Sequence, residues 1–520
     1  MKDVNAVEVA AGLLAATRSY RTPGILPRPI PWAPLPNTDS YDHVNESTWS
    51  DASRSPLSTF SIDVDTASYA NVRRLLNSGT QPPKDAVRIE ELINYFSYDY
   101  PEPRTEHPFS ITTALAESPW HRGYRLALIG LQARRIPSDR MPPRNLVFLI
   151  DVSGSMMEAN KLPLVKASLA MLARNLTSRD HVAIVVYAGA AGLVLPPTRG
   201  DDTATIVDAL NRLEAGGSTN GAGGLRLAYR TARAHFADGG VNRVILATDG
   251  DFNVGVTSRG ELLDLIERER ESGIALSVLG YGFGNLKDST MEQLADKGNG
   301  NYAYIDDLSE ARKVLVEEAG GTLVTVAKDV KIQVEFNPAA VSAYRLIGYE
   351  NRALADRDFN DDRKDAGDLG AGHSVTALYE IVPVGAAIEG PAVDSLRYQT
   401  PSRPSTGAAN ETMWVKIRYK QPDSTSSVRL DTPVSTALEM TPALGFASAV
   451  ASFGMLLRES EFTGSASFAE ARRTAERFRG ADPLGHRAEF IRLVGLAESV
   501  SGEPSRERRQ TRWIHGADRD

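Results

Sequence analysis

No cysteine occurs in the 520 residues, which excludes disulfides, thiolate metal sites and a cysteine nucleophile. That absence fits cytoplasm and periplasm alike. Histidine is also sparse, with 8 residues scattered without ligand spacing, so zinc chemistry is not expected. No apolar run approaches the roughly 20 residues of a membrane span. Within Met1–Ala16, Asp3 and Glu8 interrupt what a signal peptide would need, so this start is read as a short amphipathic helix or a disordered end. As it stands the chain reads as cytoplasmic, or as periplasmic or lipid-anchored if its true start lies elsewhere. A net charge of −8, without any Lys/Arg stripe carrying interleaved aromatics, excludes a nucleic-acid surface. What remains is ordinary globular composition, 42% hydrophobic and 24% charged, at a length that implies about three domains.

The chain is organised around Asn145-Leu-Val-Phe-Leu-Ile-Asp-Val-Ser-Gly-Ser155. The apolar run reads as a strand buried on both faces of a parallel sheet. It stops at Asp151, Ser153 and Ser155, short oxygen-bearing side chains with Gly154 among them. A helical pattern follows over Lys161–Leu176, with Pro163 in its first turn. Oxygens on a turn between a buried strand and a helix lie at the carboxyl edge of the sheet, where open α/β folds bind ligands. Two further stretches share that character. Gly216-Gly-Ser-Thr219-Asn-Gly221 is a glycine-rich loop, and Val244-Ile-Leu-Ala-Thr-Asp249-Gly250 is another buried strand ending in an acid.

Taken together, Asp151-Val-Ser-Gly-Ser155, the Thr219 loop and Asp249 resemble the von Willebrand factor type A domain and its metal-ion-dependent adhesion site. The resemblance implies a divalent cation, Mg²⁺ or else Mn²⁺ or Ca²⁺. Ser153, Ser155 and Thr219 would coordinate it directly, and Asp151 and Asp249 would act largely through waters. A first shell of hydroxyls leaves the metal short of negative charge, so an Asp or Glu of a partner protein can complete it. Asp251, just beyond the motif, is read either as a modest further contributor or as a turn residue. The expected function is therefore metal-dependent protein binding, with assembly of a multiprotein complex as its main variant, and not catalysis. Glycine is plentiful near Gly216–Gly224, but no G-x-x-x-x-G-K-[ST] occurs, so nucleotide binding is not expected.

Residues 1–57 are read as a flexible segment containing the proline-rich spacer Thr22–Asn37. Residues 58–104 resemble the N-terminal module that accompanies the A domain in a YfbK-like group of bacterial proteins. Here Ser58–Ser68 reads as a strand ending in Asp63-Val-Asp65, with Asp65, Thr66 or Ser68 capping the next helix. Asp-x-Asp also begins haloacid-dehalogenase phosphatases, the alternative function, in which Asp63 would be nucleophile and Asp65 acid/base. That family continues with a threonine two residues on, whereas Thr66 here is followed by Ala67. Alternating strands at 105–139 resume over 322–430, so an α/β domain at 140–321 is expected to be inserted into a β-sandwich. That domain reads as a doubly wound, mostly parallel sheet with helices on both faces. Its last helix, Ser309–Ala319, is expected to be capped by Ser309 and ended by Gly320-Gly321. Residues 431–502 read as a helical region, similar to the C-terminal domain of the same group, and 503–520 as a disordered tail.

Overall fold

The computed structural model describes residues 39–250, 259–284, 287–318, 324–364, 366–388 and 410–502. The start, the proline-rich spacer, Asp251, Gly320-Gly321 and the tail at 503–520 lie outside the described residues. In chain order, strands β1 (Ser50–Asp51) and β2 (Leu57–Ser61) precede helices α1 (Ala67–Asn77) and α2 (Ile89–Asn94). Strands β3 (Phe109–Glu117) and β4 (Arg125–Ala133) follow.

The α/β layer then runs through β5 (Arg144–Asp151), α3 (Leu162–Ala173), β6 (His181–Tyr187), β7 (Ala191–Arg199) and α4 (Thr203–Asn211). It continues with α5 (Gly221–Ala234), β8 (Val241–Thr248), α6 (Arg259–Glu271) and β9 (Ile274–Tyr281). Helix α7 (Asp288–Lys297), strand β10 (Tyr302–Ile305) and helix α8 (Leu308–Arg312) complete it.

The sandwich resumes with β11 (Thr325–Phe336), β12 (Val341–Ile347), β13 (Gly367–Gly370), β14 (Ser374–Pro383), β15 (Glu411–Lys420) and β16 (Ser427–Ser435). Helices α9 (Pro442–Arg458), α10 (Phe468–Arg477) and α11 (His486–Val500) end the described chain.

The α/β sheet has the order β10-β9-β8-β5-β6-β7. All its pairings are parallel except β6 with β7. β5 is buried at every position, as its unbroken apolar run requires. Apolar layers cover both faces: Phe148 and Ile150 meet α3 and α4, while Val147 and Leu149 meet α5 and α6. Each such fully buried aliphatic or aromatic side chain contributes about 1.5–3 kcal/mol. The edge strand β7 has no expected counterpart. Its Pro196-Pro197 and half-exposed faces mask a strand pattern, and prolines are tolerated only at such an edge.

The sandwich is built from β1-β12-β14-β4-β3 on one side and β13-β11-β15-β16, joined by β2, on the other. Ile129, Tyr379, Ile332 and Val415 interdigitate between its sheets. Its strands come from both sides of the α/β layer in sequence, so that layer is inserted, as expected. β11 runs unbroken from Thr325 to Phe336, and its pairings shift register between Lys328 and Lys331, beside the left-handed Asp329 (φ 51°).

The expectation of flexibility through residue 57 is corrected over its final part. Trp49 packs edge-on against Tyr124 at 5.5 Å, β1 pairs with β12, and Ala52 is fully buried. On the outer face of the β4-containing sheet, α1 and α2 share one core with α9, α10 and α11. Phe96, Phe446 and Phe490 meet there with ring centroids 5.1–5.6 Å apart.

Candidate metal centre

The local sequence explains how oxygens gather at the carboxyl edge. β5 ends at Asp151, which is wholly buried, and Gly154–Met157 forms one short 3₁₀ turn. That turn presents the exposed Ser155 beside the buried Ser153, with their hydroxyl oxygens 3.0 Å apart. The Ser153 N–H donates to Asp151 Oδ1 at 2.9 Å, and the Thr248 hydroxyl donates to Asp151 Oδ2 at 3.3 Å. Two backbone bonds staple the glycine-rich loop to this turn. Gly154 N donates to Gly217 O at 3.1 Å, and Gly216 N donates to Val152 O at 2.7 Å. Gly217 sits at φ +86°, where an L side chain is strained, so glycine is required for the loop to close here. The loop carries the half-buried Thr219, and Asn220 then caps α5 through its bond from Gly223 N. Asp249 follows β8, is 2% exposed, and accepts from Lys161 Nζ at 3.0 Å.

All five residues singled out in the sequence thus lie at one edge of the sheet: Asp151, Ser153, Ser155, Thr219 and Asp249. Burial raises the Asp151 carboxyl above its ordinary value; the Ser153 N–H opposes this and the Asp249 charge adds to it. Among the described residues, no group of three or more His, Asp or Glu side chains is disposed to hold a metal. The donor set here is hydroxylic instead. Oxygens about 2.0–2.1 Å from Mg²⁺ in an octahedron lie about 3 Å apart when adjacent. The Ser153–Ser155 separation fits that spacing. Sequence reasoning missed Lys161, which had served only to mark the start of a helix. Its ammonium lies between α3 and Asp249, and its side chain packs so closely over Gly282 that a Cβ there would lie 2.5 Å from Lys161 Cε.

Asp63 and Asp65 occupy a different place, toward the amino edge of the sheet. Asp65 is 6% exposed and its Oδ1 accepts from Tyr302 N at 2.9 Å. Arg352 lies 3.6 Å from Asp63 and 3.8 Å from Asp65, and also binds Glu292 at 2.7 Å and Asp296 at 3.0 Å. A carboxylate held against a guanidinium is a poor nucleophile, so these contacts are those of an ion-pair junction. The expected cap of α1 is also corrected: Thr66 stands at the cap position without a side-chain bond. Ser68 N instead donates to Glu91 Oε2 at 2.8 Å, an acid supplied by α2. At the far end of the layer Asp307, not Ser309, caps α8, accepting from Ser309 N and Glu310 N. The helix then widens into a π-helical turn over Lys313–Glu317.

The central layer, with its parallel sheet and polar carboxyl edge, is a von Willebrand factor type A domain; the family of that description matches residues 145–317. A family described as von Willebrand factor matches residues 35–127, and one described as uncharacterized protein YfbK, C-terminal, matches residues 321–500. The uncharacterized protein YfbK of Escherichia coli (strain K12) is 43% identical over 475 residues, 90% of this chain and 82% of its own. The chain belongs to the YfbK family. The uncharacterized protein sll0103 of Synechocystis is 30% identical over 35% of this chain, which spans 42% of that relative. Among solved structures, a von Willebrand factor type A protein from Catenulispora acidiphila aligns with 78% of this chain and 91% of its own, at 15% identity and a TM-score of 0.42. No helix among the described residues is long and apolar enough to cross a membrane.

Proposed function

We propose that this protein is a metal-ion-dependent protein-binding module. The cation, Mg²⁺ or a similar divalent ion, would be held by Ser153, Ser155 and Thr219, with Asp151 and Asp249 acting through waters. When bound, it supplies an electrophilic position that an Asp or Glu of a partner protein can occupy. The observation that carries the reading is the Ser153–Ser155 hydroxyl pair, 3.0 Å apart, beside carboxylates that are already engaged. Asp151 accepts on both oxygens, and Asp249 faces the Lys161 ammonium. Neither carboxylate is left to quench the metal's charge, which keeps it receptive to an outside carboxylate. Binding in service of a multiprotein assembly is the variant we favour, and no catalytic step is invoked.

Calorimetry of the full chain with Mg²⁺ and Mn²⁺ tests the site. Wild type is expected to titrate, and Asp151→Ala to lose binding; equal titration of both proteins sinks the ligand set. A pull-down with added Mg²⁺ against chelator tests partner dependence. A complex that survives chelation unchanged removes the metal from the interface.

A further inference from the structure

At the amino edge of the α/β sheet, remote from the hydroxyl pair, a cleft of about 240 Å³ opens between that layer and the sandwich. Arg243, near the start of β8, forms part of its wall, as do Asn301 and His373. Asp63, Asp296 and Asp368 line it too, with Arg352 among them. Gly367 lets β13 approach the chain just past β2, since a Cβ there would lie 2.3 Å from Asp63 N.

Arg243 is the unusual member. It is 4% exposed, its Nη1 donates to Ser277 Oγ at 2.6 Å, and its buried Nε has no hydrogen-bond partner. Among the described residues no carboxylate stands within ion-pairing distance of it, although the Asp368 charge acts on it from farther off. Burial pushes its guanidinium down to about 10, which still leaves it charged at neutral pH. A buried, charged fork with spare donors is matched by a carboxylate, which can accept from two N–H groups side by side.

The rest of the lining decides what that carboxylate belongs to. Asp63, Asp296 and Asp368 balance Arg243, Arg352 and Lys297 in formal charge. In a lining so balanced, a multiply charged anion such as phosphate would leave an uncompensated negative charge. A bare cation meets Arg352, which already lies against Asp63 and Asp296. A molecule carrying one charge of each sign satisfies both sides. We propose that this cleft binds a small zwitterion of the α-amino-acid class, its carboxylate on the Arg243 fork and its ammonium toward Asp368. Because Arg243 belongs to the α/β layer and Asp368 to the sandwich, such a ligand ties the two together.

Calorimetry and thermal melting of the full chain test this, with glycine and L-alanine as probes and acetate and methylammonium as their two halves. An amino acid is expected to bind and raise the melting midpoint, with each half about tenfold weaker or more, as loss of one desolvated charge contact implies. Arg243→Gln is expected to weaken amino-acid binding by a similar factor. Should that variant fail to fold, Asp368→Asn, at a half-exposed position, is expected to weaken it as well. Absence of binding by both amino acids overturns the proposal. So does acetate binding as tightly as glycine, which would mark a plain anion site, or unchanged affinity in the folded variants. Ser155→Ala, at the opposite edge, leaves this binding unaltered.

Discussion

The two edges of one sheet use carboxylates in opposite ways. At the carboxyl edge Asp151 and Asp249 are set back and already engaged, by a backbone N–H, a hydroxyl and an ammonium, while hydroxyls face outward. Toward the amino edge and along helix α7, Asp63, Asp65, Glu91, Asp288, Glu292 and Asp296 crowd around Arg88 and Arg352, with Glu292 paired to both. Under the function proposed here, the first arrangement withholds negative charge from the place where the cation would remain reactive. The second concentrates it to join the N-terminal segment, helix α7 and the sandwich. Placement relative to cations, and not the number of acids, separates a candidate binding site from a structural clamp.

The comparison breaks most visibly if Arg352 is dispensable. Arg352→Met leaves its surrounding carboxylates without their shared counter-ion and is expected to destabilise the fold by about 3–5 kcal/mol. Chemical denaturation reads this directly, and a loss within error would mean that the cluster is not a clamp. At the other edge, Lys161→Met removes the ammonium that the buried Asp249 faces and is expected to cost about 1–3 kcal/mol without metal. Added Mg²⁺ should then raise the melting midpoint more than in wild type, because the cation takes over the missing positive charge. An equal Mg²⁺ shift in the two proteins would separate Lys161 from the cation.

A smaller effect sharpens the contrast through pH. Burial, with the charges of Asp63 and Glu292 adding to it and Arg352 opposing, lifts Asp296 from 3.8 to about 7, and burial likewise lifts Asp288 to about 6. A folded value above the unfolded one means that the folded chain holds protons that the unfolded chain releases. These groups therefore contribute stability that is fully present below about 3.8 and is lost as pH rises toward about 7. Asp296→Asn is expected to flatten the fall in denaturation free energy across that window, and an unchanged slope would count against it. The smallest change expected in stability is that of Ser155→Ala, at an exposed position: within about 0.5 kcal/mol, yet with loss of cation binding by calorimetry.

Much of the carboxyl edge was legible because its residues lie in short runs whose spacing is set locally. A buried strand must end in polar residues, and the order of Asp151, Ser153, Ser155, Thr219 and Asp249 survives any shift of helix boundaries. The inserted arrangement was legible for a similar reason, since alternating strands stop before the α/β pattern and resume after it. The amino-edge cluster was not. Arg352 meets Asp63 and Asp65 from far along the chain, and no local periodicity encodes such a meeting. Strand β7 escaped because its prolines obey edge rules rather than strand propensity. The cap at Thr66 failed because Glu91, from another helix, answered the N–H that a local side chain was expected to take.

The helical shell has a consequence for synthesis. Helices α1 and α2 share their core with α9, α10 and α11, and Arg73 of α1 bonds Glu489 of α11 at 3.2 Å across 416 positions. At about 5–20 residues per second, on the order of tens of seconds separate the emergence of the early helices from that of their last partners. Throughout that interval Tyr69, Val72, Leu92 and Phe96 lack the surface that finally covers them. The inserted α/β layer, made in between, can fold while the shell still waits. A ribosome stalled before α11 would therefore hold a chain with a formed centre and an apolar, unclosed flank, the form in which chaperones would meet this protein.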